Sequence, residues 1–162
     1  MNNFPIIHEG KTYWIARNMA VSCFVFANFS GELRILANQR GAGAADFHGL
    51  WNVPCGYLDF DETTKEAAIR EVYEETGVEL KDVNFWTFED SPNANLQNVT
   101  FRYYAVIDKP TTNISVSTGD RGGEENEVNS VAWMSVDKID DFKWAFNHDK
   151  LIKELIEHLN LK

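Results

Sequence analysis

The chain has 162 residues, 44% of them hydrophobic, so it can bury one sizeable core and is predicted to form a single domain over residues 1–162. Its net charge of -10 argues against non-specific binding to a nucleic-acid backbone, although a bound metal could still attract a phosphorylated small molecule. Cys23 and Cys55 lack metal-ligand spacing, and the sequence shows no signal peptide and no apolar run that could span a bilayer. We therefore expect a cytoplasmic protein with reduced thiols and neither a nucleic-acid nor a membrane partner.

The chain up to residue 54 is predicted to be mostly β-structure. Residues 20–27 have the sequence AVSCFVFA, an apolar run rich in β-forming residues that is typical of a buried strand. The glycine-rich loop after the second strand is not followed by Gly-Lys-Ser/Thr, so it does not match a phosphate-binding P-loop. In chain order we expect an arm or short strand at 1–18, strands at 20–27 and 32–38 with a turn at 28–31 between them, a loop at 41–46 and a short strand at 51–54.

A helix is predicted from residue 63 to residue 77. Thr63 and Glu66 have the Thr-x-x-Glu spacing of a capping box, in which each side chain accepts from a free backbone N–H at the helix start. Gly77 can adopt the left-handed conformation that ends many helices. The side expected to face a core carries Ala68, Ile69, Val72 and Tyr73.

Three glutamates of this predicted helix, Glu71, Glu74 and Glu75, share an arc of about 100°. We expect them on an edge away from the core, where they contribute little to it. A like-charged i,i+4 pair such as Glu71 and Glu75 costs roughly 0.2–0.5 kcal/mol on an isolated helix. A divalent cation would turn that repulsion into attraction, and hard cations such as Mg²⁺ prefer oxygen ligands. The three carboxylates are therefore a candidate metal site.

The rest of the chain is predicted to contain further strands and a final helix. Residues 99–107 alternate apolar and polar side chains, which indicates a strand with one buried face. The final helix begins near His148, and its apolar face carries Leu151, Ile152, Leu155, Ile156 and Leu159. With strands at 83–89, 99–107 and 128–134, these elements favour an α/β fold in which helices cover both sides of a mixed sheet.

Residues 56–78 match one known pattern at every fixed position. The pattern is G-x5-E-x7-R-E-U-x-E-E-x-G-U, with U apolar, and it is matched by Gly56, Glu62, Arg70, Glu71, Val72, Glu74, Glu75, Gly77 and Val78. A chance match at the single-residue positions has a probability on the order of 10⁻⁸ per start site at average composition. The chain therefore resembles the Nudix hydrolases, and the resemblance implies their α/β/α sandwich, with a mixed sheet between helices.

The resemblance also implies roles for the matched residues. Nudix hydrolases cleave a pyrophosphate linkage with the help of divalent cations, here Mg²⁺ with Mn²⁺ as the alternative. The metal ligands that it implies are Glu71, Glu74, Glu75 and the backbone carbonyl at Gly56. Arg70 is expected to orient a supporting glutamate such as Glu62 or Glu74 by a charged hydrogen bond. An ordinary surface arginine is the alternative for Arg70.

The general base is left open by the resemblance. Some Nudix enzymes use a glutamate of the helix, which here would be Glu74 or Glu75, and others use a carboxylate from a later loop. The acidic loop at 119–127 offers such carboxylates, of which we favour Glu125 and Glu127. The alternative for each of them is a solvated acidic turn.

The implied partner is a small-molecule nucleotide, and a homodimer is left open. In members that cleave ADP-ribose, a proline often lies about fifteen residues beyond the pattern, and Pro92 lies near that position, although prolines are common in loops. This favours ADP-ribose, a nucleotide sugar or another nucleoside diphosphate derivative as substrate. The alternatives are a nucleoside triphosphate pyrophosphohydrolase and a Nudix-type sensor that binds a nucleotide without cleaving it.

Overall fold

A computed structural model describes residues 3–92, 97–108, 114–115 and 126–161. The strands are β1 (Phe4–His8), β2 (Lys11–Ile15), β3 (Met19–Phe29), β4 (Glu32–Arg40), β5 (Trp51–Asn52), β6 (Cys55–Tyr57), β7 (Asn84–Glu89), β8 (Val99–Ile107) and β9 (Val128–Ser135). The helices are α1 (Thr64–Thr76), a 3₁₀ helix (Val136–Asp141) and α2 (His148–Leu159). None of the helices within the described ranges is long and apolar enough to cross a membrane.

The main sheet is mixed, as predicted. Its strand order is β5-β4-β3-β8-β7, with β6 paired to β3 and β9 paired to β4. β3 and β8 run parallel, whereas the other pairs of this sheet are antiparallel. The long strand β3 therefore lies at the centre, and the short strand β6 that leads towards α1 is attached directly to it.

The two helices cover opposite faces of this sheet. Successive residues of a strand point to opposite faces, and β3 accordingly divides its side chains between two cores. The core on the α1 side contains Val21, Cys23, Val25, Leu36, Ala67, Ala68 and Val72. The core on the α2 side contains Phe24, Phe26, Ile35, Ala37, Ile152 and Leu155. The predicted α/β/α sandwich is therefore confirmed.

The N-terminal arm differs from the prediction, because it forms a complete hairpin. β1 and β2 pair as a separate two-stranded sheet. The two connecting residues, Glu9 and Gly10, have φ of 50° and 76°, which matches the tight hairpin turns in which both central residues have positive φ. Ile7 and Trp14 of this hairpin are 80% and 67% exposed.

Candidate active site

Helix α1 has the ends that the sequence predicts. Thr63 caps the first turn, and both halves of the capping box with Glu66 are present. Gly77 has a φ of 75°, and its N–H donates to the carbonyl of Tyr73. These caps fix the start and the end of the helix. Its buried apolar side chains, Ala67, Ala68 and Val72, belong to the core on this side of the sheet.

Glu71 and Glu75 face the core, which contradicts our expectation that these glutamates lie on an edge away from it, whereas Glu74 is half-buried. Glu71 and Glu75 are 9% and 3% exposed and are buried beside Ala68 and Val72, whereas Tyr73 is 38% exposed. Helix geometry gives the reason. Glu75 follows Ala68 by seven residues, which at about 100° each brings it within about 20° of the same direction. The inner glutamates are therefore part of the core-facing side of α1.

Arg70 donates hydrogen bonds to three carboxylates, those of Glu62, Glu71 and Glu74. Its Nε and Nη2 donate to the two oxygens of Glu62 at 3.0 and 2.7 Å, which makes a bidentate pair. Its Nη1 donates to Glu71 Oε1 at 2.8 Å and to Glu74 Oε2 at 2.9 Å. A further bond at 3.0 Å runs from Nη2 to the carbonyl of Tyr57. Arg70 thus contacts both glutamates that it was expected to orient, and these bonds, led by those to Glu62, raise its pKa.

The turn before α1 approaches the inner glutamates with its backbone. The N–H of Cys55 donates to Glu75 Oε2 at 2.9 Å. A Cβ atom at Gly56 would lie 2.2 Å from Glu71 Oε1, so only glycine leaves room for this carboxylate. Pairing of Gly56 with Val21 anchors the turn to the central strand β3. The sheet therefore holds a glycine backbone directly against the carboxylate of Glu71.

Burial disfavours the charged forms of the two inner glutamates. It raises the pKa of Glu71 to about 7, in spite of the opposing effect of Arg70. Burial, and after it the negative charges of Glu71 and Glu127, raises the pKa of Glu75 well above its usual value. Glu75 Oε1 is buried and has no hydrogen-bond partner in the described part of the chain. Both carboxylates would therefore be stabilised by a nearby positive charge.

Of the two loop glutamates proposed as general bases, the structure describes Glu127. Glu127 immediately precedes β9, and its carbonyl accepts from the N–H of Gly41 at 2.6 Å. Its charge helps to raise the pKa of both Glu71 and Glu75, so the structure brings it close to the inner glutamates. Glu125 lies outside the described residues. Both residues remain predictions as general bases.

Arg40 is a charged residue near the site that the sequence reasoning missed. It ends β4, is 8% exposed, and donates from Nε to the carbonyl and from Nη2 to a carboxylate oxygen of Asp46, both at 2.9 Å. Its guanidinium lies 5.2 Å from the ring centre of Phe146. Its positive charge acts against the rise in the pKa of Glu75. The only local signal was an arginine at the end of an apolar strand.

The donor groups fit a hard divalent cation, although the side chains are arranged without one. In the ranges that the structure describes, no three carboxylate, imidazole or thiol groups already converge to hold a metal. Instead, Arg70 donates hydrogen bonds to the carboxylates of Glu71 and Glu74, and the Cys55 N–H donates to that of Glu75. However, a buried carboxylate oxygen without a partner, next to a second buried carboxylate, is an oxygen-only donor set of the kind that Mg²⁺ and Mn²⁺ prefer. Glu71 and Glu75 would be the residues to hold such an ion.

Solved structures share this fold. The NUDIX domain of NrtR from Shewanella oneidensis, in complex with ADP ribose, superimposes with a TM-score of 0.74 at 24% identity and covers 90% of both chains. A bifunctional NMN adenylyltransferase/ADP ribose pyrophosphatase from Francisella tularensis, with AMP and a manganese ion, has a TM-score of 0.66 at 22% identity over 88% of this chain and 42% of that one. NrtR has also been solved with a 27mer DNA, at a TM-score of 0.62 and 24% identity over 87% of this chain and 61% of that one.

The chain is also similar to curated protein sequences and matches a family model. Phosphatase NudJ of Escherichia coli K12 is 53% identical over 68 residues, which are 42% of this chain and 40% of that protein. Nudix hydrolase 6 of Arabidopsis thaliana is 26% identical over 147 residues, or 91% of this chain and 48% of that protein, so the chain spans about half the length of these relatives or less. The model of the NUDIX domain matches residues 16–155. The chain therefore belongs to the Nudix family.

Proposed function

We propose that the protein hydrolyses a pyrophosphate linkage in a nucleoside diphosphate derivative, with ADP-ribose or a nucleotide sugar as the favoured substrate. Water would add to one phosphorus and the bridging bond would break, leaving a nucleoside monophosphate and the phosphorylated remainder. A divalent cation, Mg²⁺ or Mn²⁺, would neutralise charge on the phosphate oxygens when bound. The chain's own contribution is to hold the carboxylates and to position the substrate.

The observation that carries this proposal is the pair of buried glutamates. Glu71 and Glu75 lie in the core-facing side of α1, and burial raises the pKa of each. A fold that only needed a stable helix would gain by placing apolar side chains there. Ionisable groups whose pKa values are strongly shifted by burial are typical of functional sites. Arg70 and the backbone of Gly56 keep the carboxylates in place.

A cavity beside Glu127 offers room for the organic part of a substrate. It has a volume of about 340 Å³ and is lined by Gly41, Ala42, Gly43, Asn126, Val128 and Asn129. Phe47 lies in the loop that follows Gly43 and packs edge-to-face against Phe146, with ring centres 4.9 Å apart. Its side chain is 43% exposed. An exposed aromatic ring can stack on a base. The ADP ribose in the Shewanella structure supports a ligand of this class.

Pro92, whose position beyond the pattern favoured ADP-ribose, is an exposed residue after β7 and adds little weight to that choice. The preference for a nucleoside diphosphate derivative therefore rests on the resemblance to relatives, one of which was solved with ADP ribose. A cytoplasmic location is part of the proposal, because Cys23 and Cys55 are both free thiols, as expected in a reducing compartment.

A substrate panel tests the proposal against its two alternatives. Wild-type protein would be incubated with ADP-ribose, nucleotide sugars and nucleoside triphosphates, with Mg²⁺ or Mn²⁺ and with EDTA, and the products identified by mass spectrometry. We expect a nucleoside monophosphate from a diphosphate derivative, and no product in EDTA. Release of pyrophosphate from triphosphates alone would favour the triphosphate enzyme. Tight nucleotide binding with no cleavage under any condition would favour the sensor.

A further inference from the structure

Two asparagines lie in the sheet where buried side chains are otherwise mostly apolar. Asn38 in β4 and Asn52 in β5 are 1% and 0% exposed, and they are directly opposite each other in the strand pairing. The amide nitrogen and oxygen of Asn38 and the amide oxygen of Asn52 have no hydrogen-bond partner among the described residues. Buried amides are nearly always hydrogen-bonded, because an unpaired polar group in the interior is costly.

Both asparagines are on the face of the sheet that α1 covers. Leu36 belongs to the core on the α1 side, and Asn38 lies two residues further along β4, so it shares that face. Directly opposite residues in an antiparallel pair point the same way, which puts Asn52 on this face too. Arg40, a further two residues along β4, acts electrostatically on Glu75. This end of β4 therefore lies near the inner glutamate.

A chain of contacts connects Asn52, the strand partner of Asn38, to Glu75. Asn52 Nδ2 donates to Cys55 Sγ at 3.2 Å, and the N–H of Cys55 donates to Glu75 Oε2 at 2.9 Å. The other carboxylate oxygen of Glu75, Oε1, is buried without a partner, as are three amide atoms of the asparagines. A buried water commonly makes about three hydrogen bonds to such groups. These partnerless atoms are one amide donor and three oxygen acceptors, a set of groups that bridging water can satisfy.

We propose that Asn38 and Asn52 are positioning residues that hold Glu75 Oε1 through bridging water, in the orientation that a divalent cation requires. The Cys55 N–H already fixes Oε2, so the asparagines control the remaining freedom of the carboxylate. This inference rests on the proposed function, because the orientation matters only if Glu75 binds a metal. Partners that orient a metal ligand in this way typically affect metal affinity by about 10- to 100-fold.

Asn38→Leu separates this role from a merely structural one. If Asn38 is only a poorly satisfied buried amide, an apolar side chain of similar size should raise the melting temperature in EDTA and leave metal binding unchanged. If Asn38 positions Glu75, the dissociation constant of Mn²⁺, measured by isothermal titration calorimetry, should rise by about tenfold or more. At saturating Mn²⁺, kcat should fall while KM for the best substrate stays within about twofold.

Ser22→Ala is the matched control. Ser22 is also buried, at 1% exposure, and its hydroxyl has no partner among the described residues, but it lies on the α2 face of β3, next but one to Phe24. Its Mn²⁺ dissociation constant should match that of the wild type. Asn38→Ala is measured as well, so that a folding defect in Asn38→Leu does not decide the outcome, and it should also weaken Mn²⁺ binding.

The outcomes separate this inference from the function on which it rests. Wild-type Mn²⁺ affinity in folded Asn38→Leu or Asn38→Ala protein would overturn the positioning role and leave the proposed hydrolase intact. Equal weakening in Ser22→Ala would also overturn it, because the effect would then follow from any buried polar group. A wild-type protein that binds no Mn²⁺ would overturn the metal site itself, and the positioning role with it.

Discussion

The backbone of Gly56 lies directly against the carboxylate of Glu71, so closely that a Cβ atom on Gly56 would come within 2.2 Å of Oε1. Gly56 belongs to β6 and Glu71 to α1, and this contact joins the sheet to the helix at the candidate site. A larger residue at this position would force the carboxylate of Glu71 to move.

Gly56→Ala should displace Glu71 and reduce activity by at least about tenfold, with a loss of roughly 1–3 kcal/mol in the free energy of unfolding from overpacking. The checks are turnover with Mg²⁺ and urea unfolding in EDTA. In a Glu71→Ala background the clash is absent, so Gly56→Ala should cost much less stability there. An equal cost in both backgrounds would show that the alanine clashes with something other than Glu71.

Glu75→Gln should separate catalysis from folding. It keeps an acceptor for the Cys55 N–H but removes a carboxyl group that is costly to ionise where it is buried, so we expect kcat to fall by orders of magnitude and the melting temperature in EDTA to stay equal or rise. Val72→Ala, one helix turn beyond Ala68, should instead lose about 2 kcal/mol of stability and keep its turnover per folded molecule. Wild-type turnover in Glu75→Gln would contradict the metal-site proposal at this residue.

Stability of the metal-free protein should fall as the pH rises through neutrality. Burial raises the pKa of Glu71 to about 7 in the folded state, above its unfolded value of about 4.3, so the folded state holds this proton more tightly. The resulting stability is present at low pH and is lost progressively between about pH 4 and pH 7, on the order of 3 kcal/mol in all. Burial raises the pKa of Glu75 as well, so its titration changes stability in the same direction.

Urea unfolding in EDTA at a series of pH values measures this dependence. Glu71→Gln should flatten the curve up to neutral pH, and Mn²⁺ should bind more tightly with rising pH because protons leave the carboxylates. A metal-free wild type that gains stability between pH 5 and pH 8 would show that these glutamates are ionised without difficulty in the folded state.

Arg70→Lys should lower activity, even though the positive charge is kept. Lysine cannot reproduce the bidentate pair with Glu62 together with bonds to Glu71 and Glu74, so all three carboxylates lose their common partner. We expect at least about a tenfold loss in kcat/KM. Arg34→Lys is the control, since Arg34 makes a half-exposed pair with Glu32, and it should have wild-type kinetics.

Local signals account for what the sequence predicted well. Strand β8 was placed at the residues where it occurs because its alternating pattern is a property of consecutive side chains. The ends of α1 followed from Thr63, Glu66 and Gly77, which act within one helix turn. The mixed sheet with a helix on each face followed from the order of these elements and from the family resemblance.

The site was predicted less completely, for two physical reasons. Our prediction placed Glu75 on the side of α1 away from the core. The seven-residue spacing from Ala68 turns it towards the core instead, where it is 3% exposed. The sequence alone did not indicate a role for Arg40, Asn38 or Asn52. Their surroundings depend on the pairing of β4 with β5 and on the packing of α1, and a short stretch of sequence does not predict such contacts.

Burial of Glu71 and Glu75 makes the second half of α1 a locally frustrated segment, in which the side chains that pack best are not the ones present. Such a segment should open more readily than the apolar strands around it. A bound cation would remove the frustration by offsetting the repulsion, so amide hydrogen exchange in α1 should slow on adding Mn²⁺ while exchange in β8 changes little. The rigidity of this helix would then depend on the metal concentration around the protein.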